Sequence, residues 1–206
     1  MSRQRNTLLT VEEVDAAMRR HLSDDAYTWS QKRLGVDVGD DRTVLFPRQG
    51  LASFRPIVMH PTGGSAVSVD VATRVAAAKA QWGSELEFAD ATAGACDMLR
   101  AIGIAVIDVQ LAGAASDPRY KNRRTEIWFA MRDWIQHGGA LPPIPELIAE
   151  LTEQTYTVAS GKFLLEDQNQ IKLADALALT FGFADMARSA MGTRGSVGRA
   201  LMESYE

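Results

Sequence analysis

The sequence predicts an α/β fold built on one mixed sheet with helices on its faces. Two short apolar runs, 34–38 and 43–46, flank a Gly-Asp-Asp turn, which is the pattern of a hairpin between buried strands. Further along, short apolar runs alternate with helical stretches, which is typical of strands joined by crossovers. We therefore expect five strands, three antiparallel and then two parallel, flanked by helices.

The composition indicates a single sizeable core and no membrane segment. The chain has 206 residues, of which 46% are hydrophobic. No apolar run approaches the ~18 residues of a membrane span, and the start lacks the apolar segment of a signal peptide. Cys96 is the single cysteine, which excludes a disulfide framework and a thiolate zinc cluster. We expect a cytosolic protein.

The formal charge of -4 argues against a general nucleic-acid-coating protein. It is compatible with a nuclease, because a site that holds two divalent cations must itself be acidic and basic residues need only line its rim.

The N-terminal part predicts an arm and one helix. Residues 1–9 are expected to be disordered or extended. Thr10 should cap a helix, because Glu13 completes a capping box. The apolar stripe of this helix comprises Val11, Val14, Ala17, Met18 and Leu22.

The hairpin is followed by further strands and helices in alternation. A third strand over 54–59 suits an edge position because it contains Pro56. A helix over 69–82 should end at Gly83. A strand over 85–89 then reaches Asp90, and the next two elements are a short helix over 95–102 and a buried strand over 104–109.

The last third of the chain opens with a loop dense in charge, 112–124. An amphipathic helix is predicted over 125–137 and a further helix over 146–153. A small hairpin over 156–165 and an almost wholly apolar helix over roughly 172–187 follow. We expect three parts: an N-terminal arm and helix over 1–32, a main domain over 33–188 and a flexible C-terminal tail over 189–206.

Three aspartates lie in apolar segments, where burying an ionised carboxylate costs free energy. Asp37 lies at the end of the first strand, Asp90 ends the fourth, and Asp175 is the single charged residue between Leu173 and Ala184. A buried ionised group must be neutralised, hydrogen-bonded or bound to a metal. Because sites gather beyond strand ends in open sheets, Asp37 and Asp90 can lie side by side.

Oxygen ligands without clustered His or Cys favour magnesium or manganese over zinc. Neighbouring carboxylates raise one another's pKa, and a bound cation relieves that repulsion. Binding should therefore weaken as the pH falls and the ligands become protonated.

Each acid taken alone has a structural alternative. Asp37 could cap the turn at Gly39, Asp90 could be a helix N-cap or a turn residue, and Asp175 could accept hydrogen bonds from a buried arginine. The charged loop could be an ordinary solvated surface. Only the joint pattern of the three acids favours a metal site.

Several of these segments resemble the C-terminal nuclease domain of tailed-phage large terminase subunits. The likeness runs from about Leu8 to Phe183, and its individual motifs are short while their order is specific. The segments that carry the resemblance are 34–38, 39–44, 90–92, 117–124, 138–142 and 173–179.

The resemblance implies an RNase H-like fold and two-metal cleavage of double-stranded DNA during genome packaging in the host cytoplasm. Asp37, Asp90 and Asp175 stand where the metal-binding acids of the family stand, and the implied cofactors are two Mg²⁺ or Mn²⁺ ions. The implied partners are double-stranded DNA, the terminase ATPase domain, the portal and the small terminase subunit. Candidate phosphate contacts lie in the charged loop: Arg119, Lys121, Arg123 and Arg124.

The chain departs from the family pattern in two ways. It contains no Gly-x-x-x-x-Gly-Lys-Ser/Thr loop, so we expect an excised nuclease domain in which 10–22 is a remnant of the connection to the motor. Stretches at 38/39, 92–95 and 171–173 are short. They are either true deletions or places where mobile loop residues are missing from the sequence, and we favour the second interpretation.

Three other functions remain open. A domain of this fold could grip DNA or dock on the packaging machinery without cutting. A nucleotide-binding domain of the sugar-kinase type opens with a similar hairpin but needs a second glycine-rich strand pair, which is not visible here. A junction-resolving nuclease would belong to the same enzyme class.

Overall fold

The computed structural model describes residues 5–39, 41–60, 69–90, 94–166 and 172–185. Six helices flank the strands: α1 Val11–Met18, α2 Val69–Trp82, α3 Ala95–Ala101, α4 Arg123–Gln136, α5 Pro145–Glu153 and α6 Lys172–Leu179. The strands are β1 Asn6–Thr7, β2 Lys32–Val38, β3 Thr43–Gln49, β4 Ala52–Ser53, β5 Ile57–Met59, β6 Leu86–Asp90, β7 Val106–Val109, β8 Thr155–Ala159 and β9 Lys162–Leu165.

The main sheet is mixed and has the strand order β4-β3-β2-β6-β7, with β5 also paired to β3. β2 runs antiparallel to β3, whereas β6 is parallel to β2 and β7 is parallel to β6. The predicted α/β class and the predicted order of antiparallel and then parallel strands are confirmed.

The predicted third strand is two short strands, so this sheet has six strands and not five. β4 and β5 each pair with β3 but are separated by Phe54, Arg55 and Pro56. Pro56 has no N–H to give to a ladder, which is why the pairing is interrupted there.

Two hydrophobic clusters cover the two faces of the main sheet. Alternate residues of β3 point to opposite faces. Phe46 packs with α1, α4, α5 and α6, whereas Leu45 packs with α2 and α3. The sheet is therefore buried on both faces, as expected for strands connected by helical crossovers.

The N-terminal segment packs against the rest of the chain. The capping box of α1 is present, since Glu13 N donates to Thr10 Oγ1 and Thr10 N donates to Glu13 Oε2. β1 pairs with β8, and β8 pairs with β9, in a separate three-stranded sheet. Leu8 and Leu9 are buried in the larger cluster. The division at residue 32 stays a prediction, and the predicted tail lies outside the described residues.

The last helix is shorter than predicted. α6 ends at Leu179, where the hydroxyl of Thr180 donates to the carbonyl of Leu177. The carbonyls of Thr180, Phe183 and Ala184 then accept hydrogen bonds from the guanidinium of Arg33. These bonds replace the helical ladder, because a buried arginine supplies the donors that the next turn would have supplied.

The connection between β2 and β3 is a short turn in which Gly39 N donates to the carbonyl of Arg42. The interpretation that loop residues are missing from the sequence at 38/39 stays a prediction. Part of each of the other two short stretches, 92–95 and 171–173, lies outside the described residues. None of the helices described is long and apolar enough to cross a membrane.

Candidate active site

Asp37 and Asp90 occupy neighbouring positions at the carboxyl edge of the main sheet. Val36 of β2 and Ala89 of β6 are parallel partners, and each is followed by one of the two aspartates. Because paired residues in a parallel ladder point to the same face, the two carboxylates project from adjacent strand ends toward one face of the sheet. The sequence-based prediction that they lie side by side agrees with this register.

The third acid is brought to that face by a close approach of α6 to β2. A Cβ atom at Gly35 would lie 1.8 Å from the carbonyl oxygen of Ala176, so only glycine leaves room for the helix. Asp37 is two residues beyond Gly35 and therefore points to the same face, where α6 carries Asp175.

The other end of α6 is held by two buried arginines. The side chains of Arg33 and Arg48 are wholly inaccessible to solvent, and both form ion pairs with Asp185, at 3.1 and 2.8 Å. Arg48 also donates to the hydroxyl and the carbonyl of Thr180. β2 and β3 thus hold the chain just beyond α6, which fixes the helix along the strand.

The carboxylate of Asp37 is only 14% exposed, and its charge is only partly balanced by neighbouring cations. Its Oδ2 atom has no hydrogen-bond partner, and the nearest cation is Lys172 Nζ at 3.8 Å. Burial raises the pKa of Asp37 to about 7, with Lys172 and Arg42 opposing the rise and Asp175 and Asp90 adding to it. The three acids are therefore close enough for their charges to interact, and a cation at Asp37 would relieve the repulsion.

Asp175 is held by two donors from α4. Trp128 Nε1 donates to its Oδ1 atom at 2.7 Å, and the guanidinium of Arg124 bonds to both carboxylate oxygens at 3.2 to 3.3 Å. Burial raises the pKa of Asp175, while Arg124 and Trp128 lower it. The arginine partner left open by the sequence is thus present.

Basic side chains engage two of the three acids. Among the described residues, no group of three or more His, Cys, Asp or Glu side chains is arranged to hold one metal ion. Lys172 lies near Asp37 and Arg124 bonds to Asp175. The three acids nevertheless offer hard oxygen donors, and Asp37 has an unsatisfied buried oxygen. This donor set fits Mg²⁺ or Mn²⁺.

The charged loop divides into surface and inward-facing residues. Arg119 is exposed and pairs with Asp117, and Lys121 is exposed. Arg123 donates to Ser116, Glu126 and the carbonyl of Gly182. With Arg124 bonded to Asp175, two of the four candidate phosphate contacts have protein partners in the interior.

Lys172, Arg42 and Glu150 belong to the site but were not predicted from the sequence. Glu150 is the one with a recognisable signal, because it lies on the buried face of α5 together with Leu147 and Leu151. An acid within an apolar stripe requires partners. The partners, Arg42 and the first turn of α6, come from distant parts of the chain.

No protein-family model matches the chain, and no curated protein sequence matches it. Solved structures do. A variant of the nuclease domain of the large terminase subunit gp2 of bacterial virus Sf6, with manganese and beta-thujaplicinol, aligns with a TM-score of 0.66 at 16% identity, over 85% of this chain and 98% of that one.

Two further structures agree. The large terminase nuclease from thermophilic phage G20c with bound magnesium aligns with a TM-score of 0.61 at 18% identity, over 84% of this chain and 96% of that one. The HK97 bacteriophage large terminase aligns with a TM-score of 0.57 at 12% identity, over 87% of this chain and 44% of that one. The chain thus has the RNase H-like fold of large terminase nuclease domains, and the predicted structural resemblance is confirmed.

Proposed function

We propose that this chain is the metal-dependent nuclease domain of a phage large terminase. In this proposal it cuts concatemeric double-stranded DNA during genome packaging by two-metal hydrolysis. The observation that carries the proposal is the carboxylate of Asp37. It is largely buried near the carboxyl end of the central strand. One of its oxygens, Oδ2, is buried without a hydrogen-bond partner, and the charges of Asp90 and Asp175 act on it. The shared fold supports the same assignment.

The three acids share one role in the proposed reaction. Asp37 on the central strand, Asp90 at the end of β6 and Asp175 on α6 would together hold the cations. When bound, the cations would activate a water for in-line attack on a phosphodiester and neutralise the leaving 3′ oxygen. Trp128 Nε1 orients the carboxylate of Asp175 through its hydrogen bond. Lys172 balances part of the negative charge of Asp37 before cations arrive.

DNA would be held by its phosphates. Lys121 is exposed on the charged loop and is available for such contacts. Arg119 is also exposed, but its guanidinium is paired with Asp117. Arg123 and Arg124 would first have to exchange their present protein partners. Phosphate contacts carry no sequence information, so cleavage should have weak sequence preference.

The setting of the proposed activity is the packaging machinery in the host cell cytoplasm. The partners would be the terminase ATPase domain, the portal and the small terminase subunit, in addition to DNA. These partners follow from the likeness to large terminases.

Plasmid cleavage tests the proposal. Supercoiled plasmid is incubated with the protein and Mn²⁺, Mg²⁺ or a chelator. We expect nicked and linear products only with a divalent cation, and a loss of about 100-fold or more in rate for Asp90→Asn. Asp97→Asn is the matched control, since Asp97 is exposed on the neighbouring helix α3 and pairs only loosely with Arg100, at 3.6 Å. Cleavage that persists in chelator would contradict the metal mechanism.

A second candidate function is a domain of this fold that grips DNA or docks on the packaging machinery without cutting it. It is favoured by the basic side chains that engage two of the acids, Lys172 at Asp37 and Arg124 at Asp175. It predicts DNA retention in a filter-binding assay without nicking in Mn²⁺. It also predicts that Asp37→Ala changes the free energy of unfolding but leaves DNA affinity unchanged.

A further inference from the structure

Glu150 is a buried acid that joins three elements around the candidate site. It is 8% exposed. Its Oε2 atom accepts a hydrogen bond from Ala174 N at 2.7 Å, and its Oε1 atom accepts one from Lys172 N at 3.3 Å. Both donors are N–H groups of the first turn of α6, which have no partner within their own helix. A side chain of α5 therefore caps another helix.

Arg42 extends the same contact to the turn between β2 and β3. Its Nη2 atom lies 3.2 Å from Glu150 Oε1, and its Nη1 atom bonds to the exposed side chain of Glu146. The carbonyl of Arg42 accepts the hydrogen bond from Gly39 N that closes the turn after Asp37. One carboxylate therefore contacts the helix that carries Asp175 and the turn that follows Asp37.

We propose that Glu150 is a positioning residue of the active site. Together with Arg42 it sets the spacing between the first turn of α6 and the β2–β3 turn, and hence between Asp175 and Asp37. This inference rests on the proposed function, since the spacing matters because two cations must fit among the acids. The carboxylate of Glu150 itself binds neither cation nor DNA in this account.

The groups around Glu150 are all hydrogen-bond donors and therefore suit a carboxylate. Two backbone N–H groups and a guanidinium are all donors, and a carboxylate accepts from all of them. A glutamine has the same shape but turns an amide N–H₂ toward at least one of these donors. Glu150→Gln should therefore release either the first turn of α6 or Arg42.

The experiment compares Glu150→Gln with Glu146→Gln. Both changes remove one charge from α5 and alter one partner of Arg42. The exposed Glu146 bonds to Arg42, whereas Glu150 bonds to Arg42 and also to the first turn of α6. For Glu150→Gln we expect Mn²⁺ affinity, measured by calorimetry, to fall at least tenfold. We also expect the amides of the first turn of α6 to exchange at least tenfold faster. For Glu146→Gln we expect both quantities within twofold of the wild type.

Arg42→Lys examines the same contact from its other side, and it applies if Glu150→Gln does not fold. Lysine keeps the charge but loses the planar fork that reaches both glutamates. We expect a loss of Mn²⁺ affinity of about threefold or more, because the contact with Glu150 is weakened from its other side. An unchanged Mn²⁺ affinity in Arg42→Lys would contradict the role of this contact.

The two proposals fail in different ways. If the wild type neither binds Mn²⁺ nor cuts plasmid, the proposed function is wrong, and faster exchange of the first turn of α6 in Glu150→Gln would still support the spacing role. If Glu150→Gln lowers the melting temperature but leaves Mn²⁺ affinity and amide exchange unchanged, Glu150 is merely structural and the inference is overturned.

Discussion

Gly35 of β2 lies directly against the carbonyl of Ala176 in α6. A Cβ atom at this position would lie 1.8 Å from that oxygen and 2.9 Å from its carbon, both of which are backbone atoms. The helix that carries one candidate ligand therefore rests on the strand that carries another without a side chain between them.

Replacing this glycine should separate the two elements. Gly35→Ala places a methyl group where the backbone of α6 now lies, and we expect a loss of about 2 to 4 kcal/mol in the free energy of unfolding, because overpacking against backbone cannot be relieved by a rotamer change. Urea denaturation measures it. Gly161→Ala is the control, since nothing lies within 4 Å of its Cβ and only the positive φ costs about 1 kcal/mol. Equal losses in the two variants would contradict the close approach.

The negative charge of Asp37 should make the metal-free protein less stable. Its Oδ2 atom has no hydrogen-bond partner and two like charges act on it. Without metal, Asp37→Asn should raise the free energy of unfolding by about 1 to 2 kcal/mol at pH 8. The reason is that residues placed for function are often not the most stable choice at their position. The same change should abolish the rise in melting temperature that Mn²⁺ gives the wild type. A destabilised variant that keeps its response to Mn²⁺ would exclude Asp37 as a ligand.

Glu150 should make stability depend on pH. Burial is the largest cause that raises its pKa from 4.5 to about 7, while the N–H of Ala174 and the charge of Arg42 oppose the rise. The folded protein then binds more protons than the unfolded chain between these values. The contribution of Glu150 is therefore fully present below about pH 4.5 and is lost as the pH rises through about 7, by about 2 to 3 kcal/mol.

Denaturation at pH 4.5, 5.5, 6.5 and 7.5 measures that slope. Across this range the free energy of unfolding of Glu150→Gln should fall less steeply with pH than that of the wild type, even if the variant is less stable at every pH. Glu146→Gln, which changes an exposed partner of the same arginine, should keep the wild-type slope. Parallel curves for the wild type and Glu150→Gln would show that Glu150 does not titrate in this range.

The salt dependence of DNA binding should identify the phosphate contacts. Lys121 is exposed on the charged loop. Lys121→Gln should lower the slope of log affinity against log salt by about 0.9 for double-stranded DNA, since one phosphate contact is lost. Arg19→Gln, at an exposed residue directly after α1, should leave the slope unchanged. Fluorescence anisotropy with a labelled duplex measures both. An unchanged slope for Lys121→Gln would exclude that residue from the interface.

The parts of this fold that depend on local patterns were predictable from the sequence. α2 spans the predicted residues and stops at Gly83, whose positive φ suits a glycine. The hairpin of β2 and β3 follows from its two apolar runs. The acids Asp37 and Asp175 were recognised because a charge among apolar neighbours requires an explanation.

The remaining features depend on contacts between distant residues. The pairing of β1 with β8 joins segments about 150 positions apart, since Asn6 is the partner of Tyr156. No local sequence pattern predicts such a distant partner. The end of α6 is set by donors from Arg33. Lys172, the first residue of α6, is far from Asp37 in the sequence and lies near it only because the chain folds.

The order of the three acids along the chain has a consequence for synthesis. α6 is the final helix described and brings Asp175 to strands completed more than eighty residues earlier. A ribosome-bound chain that has not yet emerged beyond residue 175 holds two of the three proposed ligands and no helix to close over them. The proposed cutting activity can therefore arise only after α6 has docked, so chains that end before α6 would be harmless to DNA.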